Sequence, residues 1–175
     1  MSTMDGSVFE GLFVRQLKPD AALRAELAKV GFDPARLEAK YPEEVFARAV
    51  DVVVSHDFAG KSLEETHRAL GIALIDGYFD TILGRITGSM MPMLGVGGAL
   101  KRVQQLWRVA QPSMTVAATP TSPTTWDITF ENKVMRAEMV AGILEAALLR
   151  ADKRARVSVV EHRPGGGKLL CTLVA

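Results

Sequence analysis

The residues with the strongest claim to chemistry form one run, Val50-Asp51-Val52-Val53-Val54-Ser55-His56-Asp57-Phe58-Ala59-Gly60-Lys61-Ser62. It reads as apolar run, loop, Gly-Lys-Ser, helix. That is the order in which a phosphate-binding loop holds phosphates on backbone N–H groups and a Lys. Ser55 stands where such a loop needs its first Gly, no later strand ends in a magnesium-binding Asp, and no βαβ series follows. Each residue has a plainer role: Gly60 ends a helix, Lys61 is solvated and Ser62 caps the next helix. Nucleotide binding is therefore not expected. Gly95-Val96-Gly97-Gly98, ahead of Lys101 and Arg102, is a second pattern that could cradle an anion. It lacks a preceding strand and the dinucleotide spacing, and reads as a flexible joint between helices.

His56, His67 and His162 fall on different elements without chelate spacing, so no zinc site is expected. His56-Asp57 is a dipeptide, whereas a catalytic triad joins residues that are neighbours in space. Cys171 sits mid-strand on an apolar side, where a thiol is inert packing. Asp76 and Asp80 lie one turn apart on a helix, a spacing open to acid–base work. A solvated face, or salt bridges, is the commoner meaning of such a pair. No set of nucleophile, base and oxyanion donors emerges, so the chain is expected not to be an enzyme. Lys153, Arg154 and Arg156 follow a helix end, where cations suit the dipole. Without interleaved aromatics they give no reason to expect nucleic acid.

The elements that carry these residues follow from pattern. The chain has 175 residues, 48% hydrophobic and 23% charged, with a formal net charge of +1. That is ordinary globular usage for a single domain, 1–175, here with a mainly helical part, 1–112, and a later part, 113–175. One Cys makes no internal disulfide. Met1–Phe9 lacks the basic start and apolar core of a signal peptide, and charges break every long apolar run. No membrane span is expected, and a cytoplasmic location is. Ser7–Leu17 reads as a short strand or extended arm. Asp20 caps a helix running to Val30, Asp33-Pro34 opens a short helix, and Pro42-Glu43-Glu44 opens a third. Ser62-Leu63-Glu64-Glu65 is a capping box. Ala99–Ala110 is a further helix.

After Pro112 the period changes. Trp126, Ile128 and Phe130 alternate with Asp127, Thr129 and Glu131, as in a half-buried strand, with Met114–Thr119 as its partner. Val134–Ala151 returns to helical spacing. Arg156–His162 and Lys168–Val174 are strands joined through Pro164-Gly165-Gly166-Gly167. The expected fold class is α+β. N-terminal helices precede a hairpin–helix–hairpin unit that forms a four-stranded antiparallel sheet with helices packed on it.

The helix opened by Ser62 carries two apolar rows, Leu70, Leu74, Tyr78, Ile82 and Ile72, Ile75, Phe79, Leu83. A helix apolar round most of its circumference must be covered on more than one side. We take Ile72, Ile75, Phe79 and Leu83 as a candidate interface for a homodimer. Ile82, Ile86, Met90, Met93, Leu94 and Ile143 are the candidate pocket. The first functional expectation is a regulatory or scaffolding module that self-associates and contacts a protein partner. The second is a sensor that binds a small apolar ligand between the long helix and the sheet.

Several motifs in order resemble a family of myxobacterial proteins of about this length, known only as a domain of unknown function. They are Phe9-Glu10-Gly11-Leu12-Phe13, Tyr41-Pro42, Leu70-Gly71, Gly77-Tyr78 with Thr81 and Gly84, and Gly142-Ile143-Leu144-Glu145. The C-terminal half is more distantly similar to the ligand-binding fold of haem–nitric-oxide sensors, 4-vinyl-reductase domains and transport-particle subunits. That resemblance implies helices before a hairpin–helix–hairpin unit, and a small-ligand or partner-binding role. No His is placed recognisably as a haem ligand, so no cofactor is expected.

Overall fold

In the computed structural model the chain is described from Ser2 to Val174, and the side chains of Ile82, Leu83 and Thr87 lie outside the described set. The helical part begins with strand β1 (Thr3–Asp5), α1 (Gly6–Phe9) and a π-helical segment, Glu10–Leu17. Next come α2 (Ala21–Lys29), β2 (Lys40–Pro42), α3 (Glu43–Asp57) and α4 (Leu63–Asp80). The short α5 (Ile82–Gly88), a 3-10 turn (Met91–Met93) and α6 (Val96–Ala110) complete it. The remainder is β3 (Thr115–Ser122), β4 (Thr125–Glu131), α7 (Ala137–Arg150), β5 (Ala155–Arg163) and β6 (Gly166–Leu173). The last four strands form an antiparallel sheet in the order β3-β4-β6-β5, so the expected α+β class and its hairpin–helix–hairpin unit are present. Among the described residues no helix is long and apolar enough to cross a membrane.

The caps and turns act as their residue types require. Asp20 accepts a hydrogen bond from the Leu23 amide at 2.8 Å, and Gly31 ends α2 with φ +96°. Ser62 Oγ accepts from the Glu65 amide and starts α4. On the sheet's buried face Trp126 pairs with Cys171 and Ile128 with Leu169, while Val157 flanks Cys171 from the other side. Helix α7 packs against β5 and β6 and α6 against β3; α4 lies on α7, and the π-helical segment lies on α4. Helix α4 is thus covered from two sides by its own chain.

Close approach at these two contacts explains the glycines of the ordered motifs. A methyl group at Gly71 would overlap the Met139 carbonyl on α7, and one at Gly142 would overlap the Arg68 carbonyl on α4. Gly11 and Gly77 stand in the same relation across α4 and the π-helical segment. Four glycines therefore let three helical segments touch backbone to backbone.

Two expectations need correcting. Residues 7–17 are helical rather than extended, and only Thr3–Asp5 forms a strand, paired with β2. Phe9 and Phe13 are four residues apart and join Phe32, Tyr41 and Phe46 in an aromatic cluster with centroids 4.3–5.9 Å apart. Full burial of each ring contributes about 1.5–3 kcal/mol, enough to override the strand preference of these types. The Asp33-Pro34 segment makes only turns, with Asp33 accepting from the Ala35 amide.

Helix α4 also stops earlier than its apolar rows suggest. Thr81 is extended at ψ 162°; its Oγ1 donates to the Tyr78 carbonyl at 2.6 Å and accepts from the Gly84 amide at 3.0 Å. One hydroxyl thereby closes one helix and opens the next.

Candidate functional site

An apolar cleft lies between α4, α6 and α7. Helix α4 contributes Leu74, Ile75, Tyr78 and Phe79, the adjoining i, i+1, i+4, i+5 positions of one face. Helix α6 presents Val103, Leu106, Trp107 and Ala110 at i, i+3, i+4 and i+7. Ile143 and Ala147 of α7 are one turn apart, and Met4, Val8 and Met135 close the remaining sides. No charged residue lines the space. Its volume is about 50 Å³. A single water takes roughly 10–15 Å³ on that measure, so the cleft has room for a body of about four heavy atoms. A ring of about six heavy atoms needs a small outward shift of α6, and a ligand filling the roughly 300–1,000 Å³ of a drug-sized pocket a large one.

One polar group stands in this lining with its hydrogen-bonding capacity unused. Gln111 follows α6, is 1% exposed, and its Nε2 has no hydrogen-bond partner. Its Oε1 accepts from Asn132 Nδ2 at 3.0 Å. Asn132 Oδ1 is in turn occupied by the amides of Val134 at 2.7 Å and Met135 at 2.9 Å.

Polar hollows on the surface are larger. One of about 710 Å³ borders Glu43, whose carboxylate accepts from Ser113 Oγ. Another, of about 490 Å³, holds Arg68 and Glu145. That pair is structural: Glu145 Oε1 accepts from Arg68 at 2.7 Å and from the Val157 amide at 2.8 Å, while Arg68 donates to the Val157 carbonyl at 2.9 Å. Both backbone groups of Val157, on the edge strand β5, are thereby satisfied by α4 and α7. Its apolar lining makes the inter-helix cleft the better ligand candidate.

The sequence candidates divide. Ile143 lines the cleft. Leu94 is half-buried, whereas Ile86, Met90 and Met93 are 67%, 59% and 86% exposed and stand outside it. Helix α5 turns away after Thr81, which carries them outward. Ile75 and Phe79, taken as interface, are instead buried within one chain as cleft wall: α7 packs on α4, and Gly88 of α5 lies against the Phe79 ring. Ile72 is 36% exposed at the margin. The side chains of Ile82 and Leu83 fall outside the described residues. The spacing Val96, Ala99, Leu100, Val103, Trp107 could have pointed to α6, since all five are buried. Gln111 carried no such signal.

Asp76, Asp80 and His56 have structural partners. Asp76 pairs with Arg150 at 2.8 Å, and Asp80 accepts from Gln16. His56 sits 2.7 Å from Asp57, whose hydrogen bond holds its pKa above the usual imidazole value. Burial pushes the Cys171 thiol up to about 11, with the Glu145 carboxylate adding to the effect.

The fold is similar to that of H-NOX domains. An Fe(II) unliganded H-NOX variant from K. algicida superposes with a TM-score of 0.72 at 9% identity, over 98% of this chain and 97% of that one. A structure described in terms of haem redox potential and porphyrin distortion gives 0.69 at 15% identity, over 98% and 100%. An oxygen-binding H-NOX domain related to soluble guanylate cyclases gives 0.65 at 17%, over 97% and 94%. In sequence the chain belongs to the family described as "Protein of unknown function (DUF2378)", which matches residues 3–169. No curated protein matches the sequence.

These neighbours correct the expectation that no cofactor is implied, because the fold is one whose solved members include haem proteins. The cleft residues were tested against haem. Its lining supplies neither imidazole nor thiolate for iron, and no cation for the propionate groups. Met4 and Met135 offer thioethers, which in cytochromes act beside a His. His67 is instead bonded through Nδ1 to the Leu63 carbonyl at 2.8 Å, and His162 lies beside Glu138. The cleft residues do not fit haem in the histidine- or cysteine-ligated mode, and no step below runs through iron.

Proposed function

We propose that this chain is a sensor domain that takes a small, mainly apolar ligand in the cleft between α4, α6 and α7. The observation that carries this reading is the cleft itself, an uncharged apolar space lined by three helices and the N-terminal segment. The likeness to an oxygen-binding H-NOX domain supports it at the level of fold. Binding acts on α6, which supplies four wall residues and follows Gly95 and the turn that holds buried Met91 between exposed Met90 and Met93. Filling the cleft shifts that turn, and no catalysis is required. Native mass spectrometry of freshly purified protein, with thermal shifts against short ketones, indole, fatty acids and haem, tests the reading. A ligand at a hundred times its Kd adds about 2.7 kcal/mol of stability, a clear rise in Tm. A clean apo mass with no shift from any compound counts against it.

Contact with a partner is a second reading, favoured by the exposed side chains of Ile86, Met90 and Met93. Sedimentation velocity tests homodimerisation: association that weakens in a triple Ser variant supports it, and a monomer at all concentrations opposes it.

A further inference from the structure

The orientation of one amide sets what the ligand must carry. Asn132 Oδ1 already accepts two backbone N–H groups, from Val134 and Met135. Its other terminus must therefore be the donating NH2, which faces Gln111 at 3.0 Å and also lies 3.0 Å from the Met114 sulfur. Gln111 must meet that NH2 with its oxygen, because the flipped amide would set donor against donor. The Gln111 backbone is fixed as well, donating to the Trp107 carbonyl at 2.7 Å and accepting from the Met114 amide at 3.0 Å. What remains is Nε2, a donor with two hydrogens, buried and unpaired on a residue that lines an otherwise apolar cleft. A buried amide without a partner is costly, and such groups are rare in folded chains.

We infer that Gln111 is a specificity-determining residue whose Nε2 donates a hydrogen bond to the ligand. The ligand class is then a compact apolar molecule bearing one accepting oxygen, such as a ketone, aldehyde or ester carbonyl. The inference rests on the sensor reading and narrows it. A bare hydrocarbon leaves the donor orphaned, and an anion finds no cation in the lining. Tyr78 is the other polar group of the wall; it has a partner of its own.

The test is a matched pair of probes, cyclopentanone and methylenecyclopentane, which differ only in replacing C=O by C=CH2. Their Kd values are measured by NMR titration with the intact chain and with Gln111→Met. With the native chain the ratio of hydrocarbon to ketone Kd, corrected for the probes' difference in solubility, is expected to exceed that of the variant by about five- to tenfold, the worth of one hydrogen bond. The variant also removes the acceptor of Asn132, so a second readout uses the native chain alone. The side-chain amide protons of Gln111 are expected to move downfield with cyclopentanone and not with methylenecyclopentane. Equal ratios in the two proteins, or amide protons indifferent to the ketone, overturn the inference and leave the sensor reading standing. If neither probe binds, nor any compound of the thermal panel, both fail.

Discussion

Replacing Gly71 or Gly142 by Ala sets two effects of opposite sign against each other. Both glycines lie within helices, where Ala is favoured by up to about 1 kcal/mol. On propensity alone each variant should be more stable. Yet the new methyl at either site meets a carbonyl of the facing helix, Met139 or Arg68. Overpacking costs about 1–3 kcal/mol when side chains can yield. Here the opposing atom is backbone, so α4 and α7 must part, and the upper end of that range applies. A net loss of about 1–2 kcal/mol is expected for each variant. The two sites share one crossing, so once the helices have separated the second methyl costs less, and the double variant should fall short of the sum. Gly97→Ala is the control: it lies in α6 with nothing within 4 Å of the new methyl, and should be neutral or slightly stabilising. Urea unfolding reads this directly. With m near 2 kcal/mol/M the midpoint should drop by about 0.5–1 M at unchanged m. A midpoint that stays or rises in both single variants refutes the backbone-contact account of α4 and α7.

Other outcomes follow from the same packing. Ile75→Asp with Phe79→Asp should abolish the cooperative unfolding transition by circular dichroism, because two carboxylates are placed in a closed apolar wall; a folded monomer would mean that the row is an interface after all. Glu145→Ala should cost about 1–2 kcal/mol and speed hydrogen exchange at the Val157 amide, since it frees both that amide and Arg68; unchanged protection there contradicts the anchoring role. Cys171 should resist thiol reagents until the chain unfolds. Its thiol titrates near 11 when folded against 9 as the reference. The folded state therefore holds its proton more tightly, so this contribution to stability is constant below pH 9 and is lost from there towards 11, at about 1.4 kcal/mol per pH unit. A fully reactive thiol at neutral pH in the native chain would contradict its burial.

Local chemistry was legible in the sequence, and encirclement was not. Asp20, Gly31 and Ser62 act through neighbours two to four residues away, so residue type and spacing suffice to place them. The alternation of Trp126, Ile128 and Phe130 marks one buried sheet face and is equally local. The two rows of α4 were visible, but not what covers them: α6 and α7 are distant in sequence, and burial by one's own chain leaves the same pattern as burial by a second copy. The segment from Ser7 to Leu17 has the composition of a strand and becomes helical because Gly11 seats it on Gly77. Thr81 could pass for a helix interior until its hydroxyl is seen bridging Tyr78 and Gly84. That break displaces Ile86, Met90 and Met93 from the expected pocket. Gln111 shows nothing in sequence because its meaning depends on Asn132, twenty-one positions later, and on a void between three helices.

The cleft itself is tested most directly by methyl NMR during titration of the intact chain with cyclopentanone. The methyl signals of Ile75, Val103 and Ile143 should shift and saturate together, because these residues share the wall. Those of Leu37 and Val160, which are exposed and lie away from α6, should stay where they are. Shifts confined to the exposed methyl groups, or no saturable shift anywhere, would contradict ligand binding between α4, α6 and α7.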